Sequence, residues 1–345
     1  AEDELADALR ALVQAEFLYE TALYPDLEYA FKHPLTRDVA YDAQLRERRA
    51  GIHRALAHAL IELHGELAGE RAPLIGDHLE RAGGARDAAR WHARAAERAR
   101  RRSSAAAAVH WGRVRELLRG ATDGDDLALA TRAAAHFVRE LARGDTSQAE
   151  FDAACEDALS LARQTGDSLS EGIVYLGRFL RTIAVGAAPD DLPQLAAAAE
   201  RVTDREFRIA AIALVQGSPS VMGDPLSSRL RKVDSALALA GDDLSIGGDM
   251  VGYSVVPNLH AIRANCLAGL GRFGEAEAAL DRARRIAREL DEPGGATGVY
   301  FQAAIIALMA EDGAQAVEAS RRWLEAISRV DWTAVHRRFG PMLLL

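Results

Sequence analysis

The sequence predicts an all-α protein built from antiparallel helical hairpins, with a short β-hairpin near its N-terminus. Two observations support this fold class. Apolar residues recur at spacings of three and four along most of the 345 residues, with alanines between them, as in amphipathic helices. Glycine or proline breaks this pattern about every fifteen to twenty residues, and N-cap residues such as Asp, Ser and Thr follow many of the breaks.

Residues 1–50 carry the only sign of β-structure. The pattern predicts a helix over Glu2–Gln14, then two segments of alternating polarity, 16–19 and 27–31, around a turn at 25–26. A helix followed by a short hairpin is typical of the end of a winged-helix module. We therefore expect residues 1–50 to be a winged-helix-like remnant.

The rest of the chain is predicted to be helical. Residues 51–120 are expected to form a helical junction and the first helical pairs, and 121–345 to form helical repeats that are truncated at the C-terminus. Both chain ends look cut, because the first residues already belong to a helix and the last ones, PMLLL, form an apolar run. We expect the chain to be a fragment of a longer protein.

The clearest repeat begins at Asn258. It comprises a first helix with Leu259, Ile262, Cys266 and Leu270, a turn at 271–272, and a second helix with Phe273, Ala276, Leu280 and Ala283. This order of small and large side chains resembles the tetratricopeptide repeat, in which small residues let two antiparallel helices approach closely. A looser copy covers 299–327, with its turn at 311–313. Because Arg263 stands where leucine is usual, we predict a tetratricopeptide-like superhelix without consensus repeats.

Asn258 and Asn265 are the candidate binding residues of this repeat. They are seven residues apart and so lie on one face of the first helix, which lines the groove in such repeats. Asparagine side chains there are suited to holding a peptide backbone. The alternative is two surface asparagines without a ligand.

The repeat turn also contains GLGRFG, residues 269–274, a formal match to the dinucleotide-binding fingerprint. That fingerprint must follow a buried strand, whereas the preceding NLHAIRANCLA has a helical period and few β-branched residues. We therefore predict a helix C-terminus, with Gly271 in the left-handed conformation and Phe273 packing back across the turn.

No other motif indicates catalysis. The sequence contains no phosphate-binding P-loop, no G-x-S-x-G and no H-E-x-x-H. His53, His58 and His64 are spaced around a helix and not along one face, so we predict no metal site. Cys155 and Cys266 are interpreted as core residues of a protein in a reducing compartment. The chain is predicted to have no enzymatic activity.

The net charge and the hydropathy of the sequence restrict the classes of partner that the chain is expected to bind. The net charge of −9 argues against a main role in nucleic-acid binding, and no apolar run is long enough to span a membrane. We expect a cytoplasmic protein without membrane contact. The arginine-rich run 94–102 has three interpretations: the solvated last turn of a helix, a contact with an anionic surface on another domain, or a nucleic-acid patch.

A family resemblance is carried by residues 27–60. The motif elements are Phe31-Lys32-His33, then Val39-Ala40-Tyr41 in a helix, then Arg49 and His53 at the start of the next helix. This sequence motif resembles the junction that follows the ATPase module in large bacterial STAND-type signalling ATPases. They include multidomain class III adenylate/guanylate cyclases, which this segment resembles most, and large LuxR-type regulators. Residues 78–99 resemble the first helical pair of their repeats.

The resemblance implies a function. The chain would be the non-catalytic regulatory, sensor and protein-interaction region of a larger signal-transduction ATPase that controls an attached nucleotide cyclase. No cofactor is expected in this chain, and ATP would bind to the upstream ATPase module. The expected partners are another protein or the upstream domains of the same polypeptide.

Two alternatives remain open. The chain could be the small-molecule inducer-binding domain of a large LuxR-type transcriptional regulator, with the irregular segment 217–257 as a pocket lid. It could also bind DNA through the winged helix, although its net negative charge counts against this. Within the junction, Phe31, Val39, Tyr41 and Ile52 are assigned to a core. His33 and His53 are expected to bridge adjacent helices by hydrogen bonds.

Overall fold

The computed structural model describes residues 2–22, 28–100, 102–122, 124–185, 191–218, 221 and 223–329. Within these residues the fold is all-α apart from one two-stranded antiparallel sheet, which confirms the predicted class. None of the described helices combines the length and the apolar character needed to cross a membrane. The chain divides into two compact units, residues 1–88 and 89–345. The predicted boundaries after residues 50 and 120 stay a prediction.

Unit 1 contains the sheet and the first helices. Its elements are α1 (Glu2–Gln14), β1 (Leu18–Ala22), β2 (Glu28–Phe31), α2 (Pro34–Asp42), α3 (Arg46–His64), a 3₁₀ helix (Gly65–Arg71) and α4 (Ala72–Arg81). The strands pair from Leu18 opposite Phe31 to Ala22 opposite Glu28. The predicted hairpin is therefore confirmed, and its predicted turn at 25–26 lies outside the described residues.

The first strand begins two residues later than predicted, because the turn that follows α1 includes Glu16 and Phe17. Glu16 has a positive φ of 60°, the left-handed conformation of a helix C-terminus. The N–H of Glu16 donates to the carbonyl of Val13, and the N–H of Phe17 donates to the carbonyl of Leu12. These two bonds use residues that the alternating pattern had assigned to the strand.

Unit 2 is formed entirely by helices in its described part. They are α5 (Ala85–Ala99, which begins in unit 1), α6 (Ser104–Leu117), α7 (Gly124–Leu141), α8 (Gln148–Thr165), α9 (Ser168–Val185), α10 (Leu192–Arg201), α11 (Arg205–Gly217), α12 (Leu226–Ala240), α13 (Gly248–Val251), α14 (Val256–Gly269), α15 (Phe273–Leu290), α16 (Pro293–Met309) and α17 (Gly313–Ser328). The last four form the two predicted helical pairs.

The turn between α14 and α15 contains the GLGRFG sequence, and its geometry is that of a helix C-terminus. Gly271 has a φ of 75°, and its N–H donates to the carbonyl of Ala268. The N–H of Arg272 donates to the carbonyl of Leu267, which completes a Schellman motif. The predicted helix C-terminus is confirmed. The predicted packing of Phe273 across the turn is wrong, since its side chain is 59% exposed.

The core of unit 2 is rich in alanine. One continuous cluster of buried side chains runs from Ala134 to Ala319, and a smaller one surrounds Trp111. Cys155 and Cys266 are free and buried, as predicted. Burial raises the pKa of the Cys155 thiol to about 12, so this thiol stays protonated at neutral pH.

Gly172 of α9 marks a close approach between helices. A Cβ at this position would lie 2.5 Å from Cζ of Phe207 in α11, and Phe207 is fully buried. We expect Gly172→Ala to lower the free energy of unfolding by about 1–3 kcal/mol, measured by urea denaturation, because the added methyl overpacks the contact. In the control Gly112→Ala, the new Cβ meets Phe137 at an ordinary 3.5 Å, so no loss is expected. Equal losses in both variants would contradict this explanation.

Candidate functional site

Three residues of the predicted junction motif meet in unit 1. The hydroxyl of Tyr41, in α2, lies 2.9 Å from Nε2 of His53, in α3. The guanidinium of Arg49 lies 4.8 Å from the centre of the Tyr41 ring and also binds Asp42 at 2.9 Å. His78 of α4 joins them, with its Nδ1 2.9 Å from Nδ1 of His53. We call Tyr41, Arg49, His53 and His78 the junction cluster.

The two histidine rings of the junction cluster share one proton. Because both contacting atoms are Nδ1, one ring must donate and the other must accept. Burial is the main cause that lowers the pKa of His53, followed by the positive charges of His78, Arg81 and Arg49. Burial and Arg81 also lower the pKa of His78, against the opposing effect of Asp77. The neutral rings therefore link α3 to α4 at neutral pH.

The other motif residues lie on the surface. The assignment of Phe31, Val39, Tyr41 and Ile52 to a core is wrong, since these side chains are 40%, 61%, 39% and 43% exposed. No residue of α2, which holds Val39 and Tyr41, is buried, and Phe31 in β2 and Ile52 in α3 also lie on exposed faces. His33 is the exposed N-cap of α2, while His53 makes the predicted bridge between helices. The place of His78 in this cluster has no local sequence signal, because its contact with His53 spans 25 positions and depends on how α3 packs on α4.

Unit 1 carries two exposed apolar stripes. Leu35 and Val39 are four residues apart on α2 and are 73% and 61% exposed. Ile52 and Leu56 have the same spacing on α3 and are 43% and 44% exposed. Residues four apart share a helical face, so each pair forms a stripe. We call these four residues the apolar stripes. Exposed apolar clusters of this kind mark interaction surfaces.

The predicted groove residues are covered by packing. Asn265 is 3% exposed, and its Nδ2 has no hydrogen-bond partner among the described residues. Asn258 is half-buried, and a Cβ on Gly298 of α16 would lie 2.2 Å from its Oδ1. Both follow from the position of α14, on which α12, α15 and α16 all pack. The expectation that Asn265 lines an open groove is therefore wrong for this structure.

The segment predicted as a pocket lid is instead tied into unit 2 by arginines. Residues 241–255, here the arginine-held loop, connect α12 to α14. The carbonyl of Asp249 accepts from Nη1 of Arg100 at 2.6 Å and from Nη1 of Arg139 at 2.9 Å. Arg143 donates to the carbonyl of Val251. Because Arg100 belongs to the arginine-rich run 94–102, part of this run serves a contact within the chain.

The arginine-held loop is also bound by a carboxylate. Glu206 of α11 accepts from the N–H of Gly247 at 3.1 Å and from the N–H of Asp249 at 2.9 Å. Burial raises the pKa of Glu206, although these two hydrogen bonds act in the opposite direction. A cleft of about 500 Å³ lies beside this loop, and its lining includes Glu206, Asp249 and Arg205. The loop is thus a fixed wall of the cleft.

The described part of the chain contains no assembled metal-binding site. No three His, Cys, Asp or Glu side chains come together there as ligands would. The His53–His78 contact brings two nitrogens together, but they are joined by a hydrogen bond.

No protein-family model matches the chain, and no curated protein matches it.

Proposed function

We propose that this chain is a non-catalytic regulatory and protein-interaction region of a larger cytoplasmic signal-transduction ATPase. In this proposal unit 1 is a winged-helix remnant that connects an upstream ATPase module to the repeats of unit 2. Unit 2 acts as a tetratricopeptide-like superhelix that receives the signal and controls an attached nucleotide cyclase.

The apolar stripes carry this proposal. Leu35, Val39, Ile52 and Leu56 leave 43–73% of their large apolar side chains in water, and burial of that remaining surface would gain about 0.6–2 kcal/mol for each. A surface of this kind is expected where another domain or protein docks. In the proposed parent protein, the ATPase module lies next to this surface.

The junction motif supports the same assignment. Tyr41, Arg49 and His53 are three of the residues that carry the resemblance to STAND-type ATPases, and Tyr41 contacts both of the others. Their contacts connect α2, which bears one apolar stripe, to α3, which bears the other. A module docked on the stripes would therefore act directly on this cluster.

Docking can be tested by hydrogen exchange. In the full-length gene product, amides of α2 and the first half of α3 are expected to exchange at least about tenfold more slowly than in the 345-residue chain alone. The double variant Leu35→Glu/Val39→Glu should abolish this protection. The control Val317→Glu, a 62% exposed residue of unit 2, should keep it.

Two outcomes would overturn the proposal. Equal exchange in the full-length product and in the chain alone would remove the docking role. ATP turnover or cyclic nucleotide formation by the purified chain would remove the non-catalytic assignment. Circular dichroism of each variant checks that the helices are retained, as expected for substitutions of exposed side chains.

A second candidate function is binding of a small-molecule inducer, as in large LuxR-type regulators. The observation that favours it is the cleft beside the arginine-held loop, whose volume of about 500 Å³ is in the range of small-molecule sites. A thermal-shift screen against metabolites separates the two candidates. A metabolite that stabilises the chain, and loses its effect in Glu206→Gln, would favour the inducer-binding function.

A further inference from the structure

A cleft between α15 and α17 is lined by an unusual density of arginines. It has a volume of about 510 Å³. Its lining includes Tyr300 and Ala303 from α16 and Ala319 from α17. Both alanines are buried, and their small side chains leave the space between the longer residues open.

The cleft is positively charged. Its four arginines are Arg284, Arg285, Arg288 and Arg322, against two carboxylates, those of Asp281 and Glu318. Both carboxylates are already engaged: Asp281 lies 3.3 Å from Arg284, and Glu318 lies 2.8 Å from Arg322. Arg285 and Arg288 are exposed and make no ion pair with a carboxylate of the described chain. Two guanidinium groups are thus available for a ligand.

The cleft continues into a second one whose lining is close to neutral, with three arginines against four carboxylates. This neighbour, of about 500 Å³, shares Arg288, Tyr300, Glu318 and Arg322 with the first. Its far end contains Glu292, Glu325 and the ion pair of Asp291 with Arg329. A compact anion would occupy only the basic end. A ligand that fits both clefts is extended and carries its negative charges at one end.

We propose that this joined cleft binds an acidic peptide segment of a partner protein. Guanidinium groups bind carboxylates through two parallel hydrogen bonds, so Arg285 and Arg288 would each hold one acidic side chain of the peptide. The ring of Tyr300 offers an apolar surface for the residues between them. This inference deepens the proposed function, on which it rests, by naming the chemistry of one partner.

The binding groove in this proposal differs from the one expected from sequence. Asn258 and Asn265 belong to α14, the first helix of its pair. Three of the four arginines belong to α15 and the fourth to α17. The second helix of each pair therefore provides most of the charged lining.

The test uses the purified chain and a short fluorescein-labelled peptide of glutamate, leucine and alanine, with fluorescence anisotropy as the readout. The glutamate peptide is expected to bind at least about tenfold more tightly than its glutamine counterpart. Arg285→Glu/Arg288→Glu should weaken its binding by at least about tenfold. Arg282→Glu, an exposed residue of α15 outside the cleft, makes the same type of charge change and should leave binding unchanged.

Several results would overturn the proposal. They are equal binding of the two peptides, no binding of either, or equal weakening by Arg282→Glu, which would indicate nonspecific attraction. Displacement of the peptide by inorganic pyrophosphate as readily as by unlabelled peptide would assign the site to a compact anion. Arg285→Gln/Arg288→Gln, checked by circular dichroism, gives a milder version of the same loss. Because upstream domains are absent from this assay, its failure is distinguishable from failure of the docking test on unit 1.

Discussion

Arg139→Met is expected to lower the free energy of unfolding by about 3 kcal/mol, because it breaks a buried ion pair. The side chains of Arg139 and Glu140 are each 4% exposed, and Nη2 of Arg139 lies 2.5 Å from Oε1 of Glu140. Methionine keeps much of the length but removes the charge, so the Glu140 carboxylate stays buried without its partner. The substitution also removes one donor from the Asp249 carbonyl. Urea unfolding followed by circular dichroism measures the loss.

The double variant Arg139→Met/Glu140→Leu separates the charge from the packing. When both charges are removed, no unpaired carboxylate remains, and we expect at least half of the lost stability to return. Arg132→Met, on an exposed position of the same helix, should change the free energy of unfolding by less than about 0.5 kcal/mol. A double variant as unstable as Arg139→Met would contradict the ion-pair explanation.

Acidification is expected to destabilise the protein through His260. Burial is the main cause that lowers the pKa of His260 to about 4, and the positive charges of Arg282 and Arg263 add to it. The unfolded chain takes up this proton near pH 6.5, whereas the folded chain does so only near pH 4. Stability is therefore lost as the pH falls through this window, by about 3 kcal/mol in total.

Urea unfolding at a series of pH values between neutral and acidic tests this expectation. In His260→Gln, the free energy of unfolding should fall by about 3 kcal/mol less over this pH window than in the unmodified chain. His58→Gln, which changes an exposed histidine, should show the same fall as the unmodified chain. Other groups also titrate, since the pKa values of His53, His78 and His136 are lowered and that of Glu206 is raised. The comparison between variants isolates His260. An unchanged slope in His260→Gln would contradict the assignment.

Local sequence chemistry was sufficient to predict the last two helical pairs and their turns. The pairs α14–α15 and α16–α17 were predicted because their period, their small residues and the glycine at 271 act over only a few positions. The capping of α8 is equally local, since Ser147 and Glu150 form a capping box. Such features depend little on the rest of the fold.

Contacts between distant segments could not be predicted in the same way. The bond from Arg139 to the Asp249 carbonyl spans 110 positions, and nothing in the sequence indicates that pairing. The one available signal was that Arg139 lies in a helix that is otherwise rich in buried alanine, with Arg143 two residues beyond the end of that helix. Likewise, the period of α14 defined its faces but not which neighbours would cover Asn265. The arginines of the α15–α17 cleft carry no local signal of their own, because the cleft exists only where α17 lies opposite α15.

The arginine-held loop has a consequence for how this protein can vary. Arg100, Arg139 and Arg143 bind main-chain carbonyls, and every residue type presents the same carbonyl. The loop's path is thus specified by these bonds and by glycines at 247 and 252, where φ is positive, together with five buried loop side chains: Ile246, Met250, Val251, Tyr253 and Val255. A foreign loop of equal length, grafted between α12 and α14 with those glycines and buried residues retained, should follow the same course. New side chains could be displayed along the adjoining cleft without redesigning the scaffold.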